Sequence, residues 1–151
     1  MEVKIISPVQ THSLRHLVLW PHIEREEDCV IDADERKDAI HLATCEGERI
    51  VSIGSLFEMQ SEKIALVPGE SKKQYRLRAM ATDPEYRGRD CGKLLVEKAI
   101  EILREKKIDV LWCDARMGAV GFYKRLGFSM IDEVYEVPRI GPHKFMWVEL
   151  K

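Results

Sequence analysis

The stretch KQYRLRAMATDPEYRGRDCGKLLVEKAIEILREK, from Lys73 to Lys106, constrains the fold most, because it runs from a strand pattern through a short basic turn into an amphipathic helix. Its first part alternates, putting Tyr75, Leu77, Ala79 and Ala81 on one face and Arg76, Arg78 and Met80 on the other. Asp83-Pro84 ends the strand. From Gly92 to about Lys106, the positions Leu95, Val96, Ala99, Ile100, Ile102 and Leu103 form a helical stripe, with Lys93, Glu97, Lys98, Glu101 and Arg104 opposite. Such a junction gathers unpaired backbone amides and the positive end of a helix dipole at one point, where phosphates bind. Arg87, Arg89 and Lys93 surround that point, and Gly88 and Gly92 let a ligand approach the backbone closely. A solvated loop whose glycines only relieve strain is the competing reading of the turn by itself.

The remaining chain supplies the partners for this unit. VKII (3 to 6) reads as a strand, and VQTHSLRHLVLW as a helix with Leu14, Leu17, Val18 and Trp20 on one face, stopped by Pro21. The acidic stretch from His22 to Ala39 lacks a clear period and reads as irregular or partly helical surface. IHLATCEGERIVSIGSLFEM is a hairpin turning at EGE, and residues 61 to 73 connect onward with a turn at Pro68-Gly69. IDVLWCDA is a buried strand, and GAVGFYKRLGF a short helix ending at Lys124 and Arg125 with Gly127 as its cap. FSMIDEVYEV and HKFMWVEL close the chain as two strands. The order predicts one α/β domain over residues 1 to 151, a mixed sheet flanked by a few helices.

At 151 residues the chain buries a core without staples, and its four cysteines show no C-x-x-C pair, so reduced thiols fit and zinc is not expected. A formal net charge of −2 and the absence of a basic stripe argue against nucleic acid as a partner. No apolar run approaches bilayer length and the N-terminus carries no export pattern, so a cytoplasmic protein with no membrane partner is expected.

The segment MATDPEYRGRDCGKLLVEKAIEIL resembles the acetyl-CoA motif of the GNAT superfamily of N-acetyltransferases, Gln/Arg-x-x-Gly-x-Gly/Ala after a strand and opening a helix, with Arg87 and Gly92 at its first and last positions. ARMGAVGFYKRLGF is similar to the family's second signature, A-x-x-F-Y-x-x-L-G-F, and the two together cover residues 75 to 128. LRAMATDPEYRG and GPHKFM suggest the small bacterial members described as predicted acetyltransferases. The resemblance implies a mostly antiparallel central sheet with two splayed central strands, acetyl-CoA as cosubstrate, and direct attack by a small-molecule amine in a ternary complex. It places cofactor contacts at Met80, Ala81 and Thr82 and along Arg87, Gly88, Arg89, Asp90, Cys91, Gly92 and Lys93. Asp90 departs from the pattern, standing where the motif expects its central glycine. Aspartate tolerates tight-turn dihedrals, and its carboxylate suits an N-cap accepting from the Gly92 or Lys93 amide, the donors a pyrophosphate would use. An outward-pointing Asp90 that weakens CoA binding without abolishing it is the expectation.

Tyr123 matches the family tyrosine near the sulfur and is the candidate acid for the leaving thiolate; aromatic packing with Phe122, Leu126 and Phe128 is its alternative. Histone-modifying members carry a glutamate on the fourth strand where this chain has Arg76 and Arg78, so the base differs. His143 and His41 are candidates for it, each also readable as a structural hydrogen-bonding residue. Arg76 and Arg78 form ion pairs, for example with Glu46 or Glu58, or, if unpaired and facing the acceptor, favour one that carries an anionic group. The reading from another class is a CoA-binding sensor without catalysis, supported by Asp90 and the missing glutamate. A homodimer through the terminal strands suits this fold.

Overall fold

A computed structural model describes residues 1–66 and 73–150; the turn expected at Pro68-Gly69 lies outside them. Seven strands among the described residues hydrogen-bond in the order β1-β2-β3-β4-β5-β7-β6, where β1 is Glu2–Ile6, β2 Ile40–Glu46, β3 Arg49–Glu58, β4 Gln74–Thr82, β5 Val110–Arg116, β6 Ser129–Val137 and β7 Gly141–Glu149. The mixed α/β sheet is mostly antiparallel, as expected, with β4 and β5 as a parallel pair. The chain forms two compact units, one of residues 1 to 57 with 77 to 101, the other of residues 58 to 76 with 102 to 151.

In the first unit β2 and β3 form the expected hairpin, from Ile40↔Leu56 to Glu46↔Arg49, turning on Gly47 at φ 59°. β1 adds to β2 from Glu2↔Cys45 to Ile6↔His41. The single helix expected after β1 is instead three short pieces: a 3-10 turn Pro8–Thr11, one α turn His12–Leu14 (α1), and a π-helical turn Arg15–Leu19. The wider π turn changes the angular spacing, so Leu14 enters the core while Leu17 faces solvent. Arg15 is buried instead. The acidic stretch is irregular as expected, with the 3-10 turn Glu26–Asp28, but it is not surface throughout, because Cys29, Ile31, Ala33 and Asp34 are buried.

The strand β4 departs from the expected alternation. Ala79 has φ 55°, a left-handed conformation inside a strand, and acts as a bulge residue. One extra residue reverses the parity of everything after it. A methyl group at Gly54 of β3 would meet Met80 Sδ at 2.7 Å, Leu95 Cδ2 at 2.9 Å and Leu77 Cδ1 at 3.4 Å, so Leu77 and Met80 share one face beneath the helix α2 (Cys91–Glu105). Ala79 and Ala81 lie with the other clusters, Ala79 beside Ile31, Ala33 and Phe57, and Ala81 beside Leu14, Ala43, Cys45 and Ile53. Grouping Tyr75, Leu77, Ala79 and Ala81 on one face was therefore incorrect. Helix α2 itself has the expected stripe, with Leu95, Val96, Ala99 and Leu103 fully buried.

In the second unit β5 pairs with β7 from Val110↔Glu149 to Arg116↔His143, and β7 with β6 around Tyr135↔His143. Ile64, Val110, Trp112 and Phe145 form its core, where the Trp112 and Phe145 rings stack at 5.4 Å. Trp112 Nε1 donates to the Met59 carbonyl at 2.9 Å. The short helix α3 (Val120–Arg125) ends, as read, with Gly127 at φ 92°. No helix among the described residues is long and apolar enough to cross a membrane.

Candidate active site

The basic turn between β4 and α2 belongs to the first unit, and local bonds set its course. The Asp83 amide donates to the Val51 carbonyl at 2.8 Å, tying the end of β4 to β3. The Asp83 carboxylate caps the 3-10 turn Pro84–Tyr86 by accepting from the Glu85 amide at 3.0 Å. Tyr86 then turns inward, its ring between the guanidiniums of Arg49 and Arg89, each 4.8 Å from the ring centre, and its hydroxyl donates to Glu46 at 3.2 Å. Arg49 also reaches Asp83 at 3.0 Å and Glu85 at 3.1 Å. The arginine-rich turn is thus pinned to the hairpin by a buried aromatic plate.

After Arg87 the chain reverses at Gly88, φ 78°, and again at Asp90, φ 62°. The Asp90 carbonyl accepts from the Leu94 amide at 3.0 Å, so Asp90 is the N-cap residue of α2. Its side chain is exposed, and among the described residues no hydrogen bond joins its carboxylate to the Gly92 or Lys93 amides. The left-handed backbone accounts for the difference, since side-chain capping uses an extended N-cap residue. The first amides of α2 have no intrahelical acceptor, and Arg87, Arg89 and Lys93 are exposed around them. Thr44 Oγ1 donates to the Cys91 carbonyl at 2.8 Å, anchoring this end of the helix on β2.

The second unit carries Tyr123, His143 and Arg76. Tyr123 on α3 is buried between Phe122 and Phe128, at ring distances of 5.0 and 5.2 Å, and its hydroxyl meets the Cys113 thiol. Burial, reinforced by Cys113, raises the phenol well above its usual range, so it holds its proton more tightly than an exposed tyrosine does. His143 on β7 is buried, and its Nδ1 donates to the Gly141 carbonyl at 2.8 Å, leaving the lone pair on Nε2 in the neutral ring. Strand alternation puts Cys113 and Tyr123 on one side of β5 and Trp112 and Asp114 on the other. Tyr123 and His143 are therefore not neighbours.

Arg76 Nη2 meets Asp114 Oδ2 at 2.8 Å and the guanidinium lies 5.0 Å from the Trp112 ring. Its partner is thus Asp114, and neither Glu46 nor Glu58. The other Asp114 oxygen accepts a short hydrogen bond from Tyr135, whose ring stacks on His143 at 6.3 Å. Burial and then the Asp114 carboxylate push the Tyr135 phenol well above its usual range. Arg78 is half-buried on β4.

His41, the other base candidate, is committed elsewhere. Its Nε2 donates to the Asp34 carbonyl at 3.0 Å, and its Nδ1 lies 2.7 Å from Ser55 Oγ. Arg15, 0% exposed, grips the Asp34 carboxylate at 2.7 and 2.8 Å and also donates to Ser55 Oγ and the Cys29 carbonyl, each at 3.1 Å. Burial raises the Asp34 carboxyl, but the Arg15 bonds, the Ile31 amide and the Arg15 and His41 charges outweigh it and leave it below the usual range. Sequence reading missed Arg15, Asp34, Ser55, Asp114 and Tyr135. The available signals were a lone carboxylate in the apolar run VLWCDA and an arginine inside a helical apolar segment. The four cysteines are free and buried, and burial raises each thiol.

Both the sequence and the fold are similar to those of known proteins. The model of the acetyltransferase (GNAT) family matches residues 8–128. The chain is 34% identical over 151 residues to YitI of Bacillus subtilis (strain 168), named as an uncharacterized N-acetyltransferase, covering 100% of this chain and 97% of the relative. Its fold is similar to that of Arabidopsis thaliana NAA60 in complex with acetyl-CoA, with a TM-score of 0.76, 14% identity, and 98% and 97% of the two chains covered. It is also similar to an aminoglycoside 6'-N-acetyltransferase complexed with coenzyme A, with a TM-score of 0.70, 14% identity, and 100% and 98% covered. The chain belongs to the acetyltransferase (GNAT) family.

Proposed function

We propose that this acetyl-CoA-dependent N-acetyltransferase moves the acetyl group to the primary amine of a small molecule, by direct attack in a ternary complex. The observation that carries the reading is the turn between β4 and α2, where unpaired helix amides, Arg87, Arg89 and Lys93 converge on one exposed point. In this reading the diphosphate of acetyl-CoA lies against Arg87, Gly88, Arg89, Asp90, Cys91, Gly92 and Lys93, and the pantetheine arm follows the backbone of Met80, Ala81 and Thr82. Among the described residues β4 pairs with β5 from Gln74↔Val110 to Arg76↔Trp112, and the left-handed Ala79 follows beyond that pairing, which suits backbone donation to a thioester oxygen.

The amine lone pair attacks the thioester carbon, a C–N bond forms, and the C–S bond then breaks. Tyr123, a phenol that carries its proton at neutral pH, supplies the proton to the leaving thiolate. His143 accepts the amine proton at Nε2. Asp114 neutralises Arg76, so Arg76 does not call for an anionic group on the acceptor. Four buried thiols with raised pKa favour direct transfer over a cysteinyl intermediate, since a thiolate is the competent nucleophile. The family match at residues 8–128 runs through both compact units, which supports one catalytic domain.

The exposed Asp90 carboxylate beside the phosphate position favours a second reading, a sensor that binds CoA weakly without turnover. Thermal melting with acetyl-CoA, together with thiol release across a panel of amines, separates the two. A raised melting temperature with amine-dependent thiol release is expected. Stabilisation without release from any amine would favour the sensor, and no stabilisation would refute both.

A further inference from the structure

Lys63 directs its ammonium onto an aromatic face in the second unit. Its Nζ lies 3.4 Å from the centre of the Tyr135 ring and 5.6 Å from that of Phe145. Two ring faces turned toward one nitrogen are how proteins hold organic cations. The Tyr135 ring is enriched for this purpose, because its hydroxyl donates to the Asp114 carboxylate and so shifts electron density into the ring. Asp114 is itself held by Arg76 at 2.8 Å. The polar groups behind the rings are thus balanced, and the ring face is left as the element that selects a cation. Lys63 is delivered to this face by a flexible four-carbon stem from the short 3-10 turn Glu62–Leu66, so its head can withdraw by changing rotamers alone.

We propose that the face formed by Tyr135 and Phe145 is an ammonium subsite for the acceptor, that Lys63 occupies it in the free protein, and that the acceptors are amines with a second cationic nitrogen. This rests on the transfer reading above and extends it to the substrate class. One ammonium replaces that of Lys63, charge for charge, while the other nitrogen, neutral, is the nucleophile. An acceptor bearing a carboxylate gains nothing here, because the ring face repels an anion and Arg76 already answers Asp114.

The probes are 1,5-diaminopentane, pentylamine and 5-aminopentanoate, added to the full-length protein. Binding is followed without acetyl-CoA through the NMR signal of the Lys63 ε-methylene, which ring currents from Tyr135 move upfield. Diaminopentane is expected to return that signal to its ordinary position and to bind about tenfold more tightly than pentylamine. Lys63→Met is expected to bind diaminopentane several-fold more tightly still, its ring face no longer being contested. Equal affinity for the diamine and pentylamine, tighter binding of 5-aminopentanoate, or a Lys63 signal unmoved at saturation would each overturn the inference. Because this binding needs no turnover, it is scored separately from the acetyl-CoA melting and thiol-release test of the transfer reading.

Discussion

Replacing Asp90 by asparagine should tighten CoA binding without disturbing the turn. Asp90 sits at φ 62°, a conformation that asparagine adopts as readily as aspartate, so the substitution removes charge and keeps backbone and volume. A carboxylate about 5 Å from a phosphate, at an effective dielectric of about 20, is opposed by about 3 kcal/mol. The Asp90 side chain is exposed, and at physiological salt the screening length is about 8 Å, which together leave about 1 kcal/mol, or a five- to tenfold change in Kd. Arg87, Arg89 and Lys93 remain in both proteins and cancel in the comparison. Isothermal titration with CoA at two ionic strengths reads the effect, and the advantage of the Asp90→Asn variant should shrink as salt rises. Asp90→Gly provides the backbone control, because it also relieves a left-handed strain of about 1 kcal/mol. A Kd for Asp90→Asn equal to that of the wild type at low salt would refute the placement of Asp90 beside the diphosphate.

Three further expectations follow from other parts of the molecule. Tyr123→Phe should lower turnover by about a hundredfold or more while leaving CoA affinity in place, measured by thiol release and by titration; full turnover would show that the phenol only packs. Gly54→Ala should destabilise the fold by about 1–3 kcal/mol in urea unfolding, since its methyl group would meet Met80 at 2.7 Å and Leu95 at 2.9 Å, and an unchanged midpoint would mean that the helix is not seated on this strand. Asp34→Asn should cost about 3–5 kcal/mol by leaving Arg15 buried and uncompensated. The folded pKa of Asp34 is depressed, so its stabilisation is present above the unfolded carboxylate pKa of about 4 and is lost as pH falls through the lower folded value. The wild type should therefore lose more stability on acidification than the Asn variant, and parallel acid titrations of stability would contradict the pairing.

The parts legible in the sequence were those set by local periodicity. The amphipathic stripe of α2, the β2–β3 hairpin at Gly47 and the Gly127 cap each depend on residues within a few positions of one another. The course from β4 through the basic turn into α2 was legible for the same reason, as was the exposure of Asp90. What stayed hidden depends on partners far along the chain. The cluster of Arg15, Asp34, His41 and Ser55 is assembled from four separated segments, and only the assembled fold shows His41 to be structural. The Arg76, Asp114 and Tyr135 contacts likewise span 38 and 21 positions. The π turn at Arg15 and the bulge at Ala79 each alter a period by a fraction of a turn or a single residue, which a pattern search reads as an ordinary helix or strand.

The left-handed Ala79 makes β4 a strand with two phases. Leu77 before it and Met80 after it point the same way, so odd positions serve the helix-covered side first and even positions afterwards. Deleting Ala79 would restore a regular zigzag and leave Met80, Ala81 and Thr82 on the sides they now face, removing only the left-handed step between the two phases. An insertion or deletion anywhere else in this segment would move every later side chain to the wrong side, so the strand tolerates a change of length at the bulge alone.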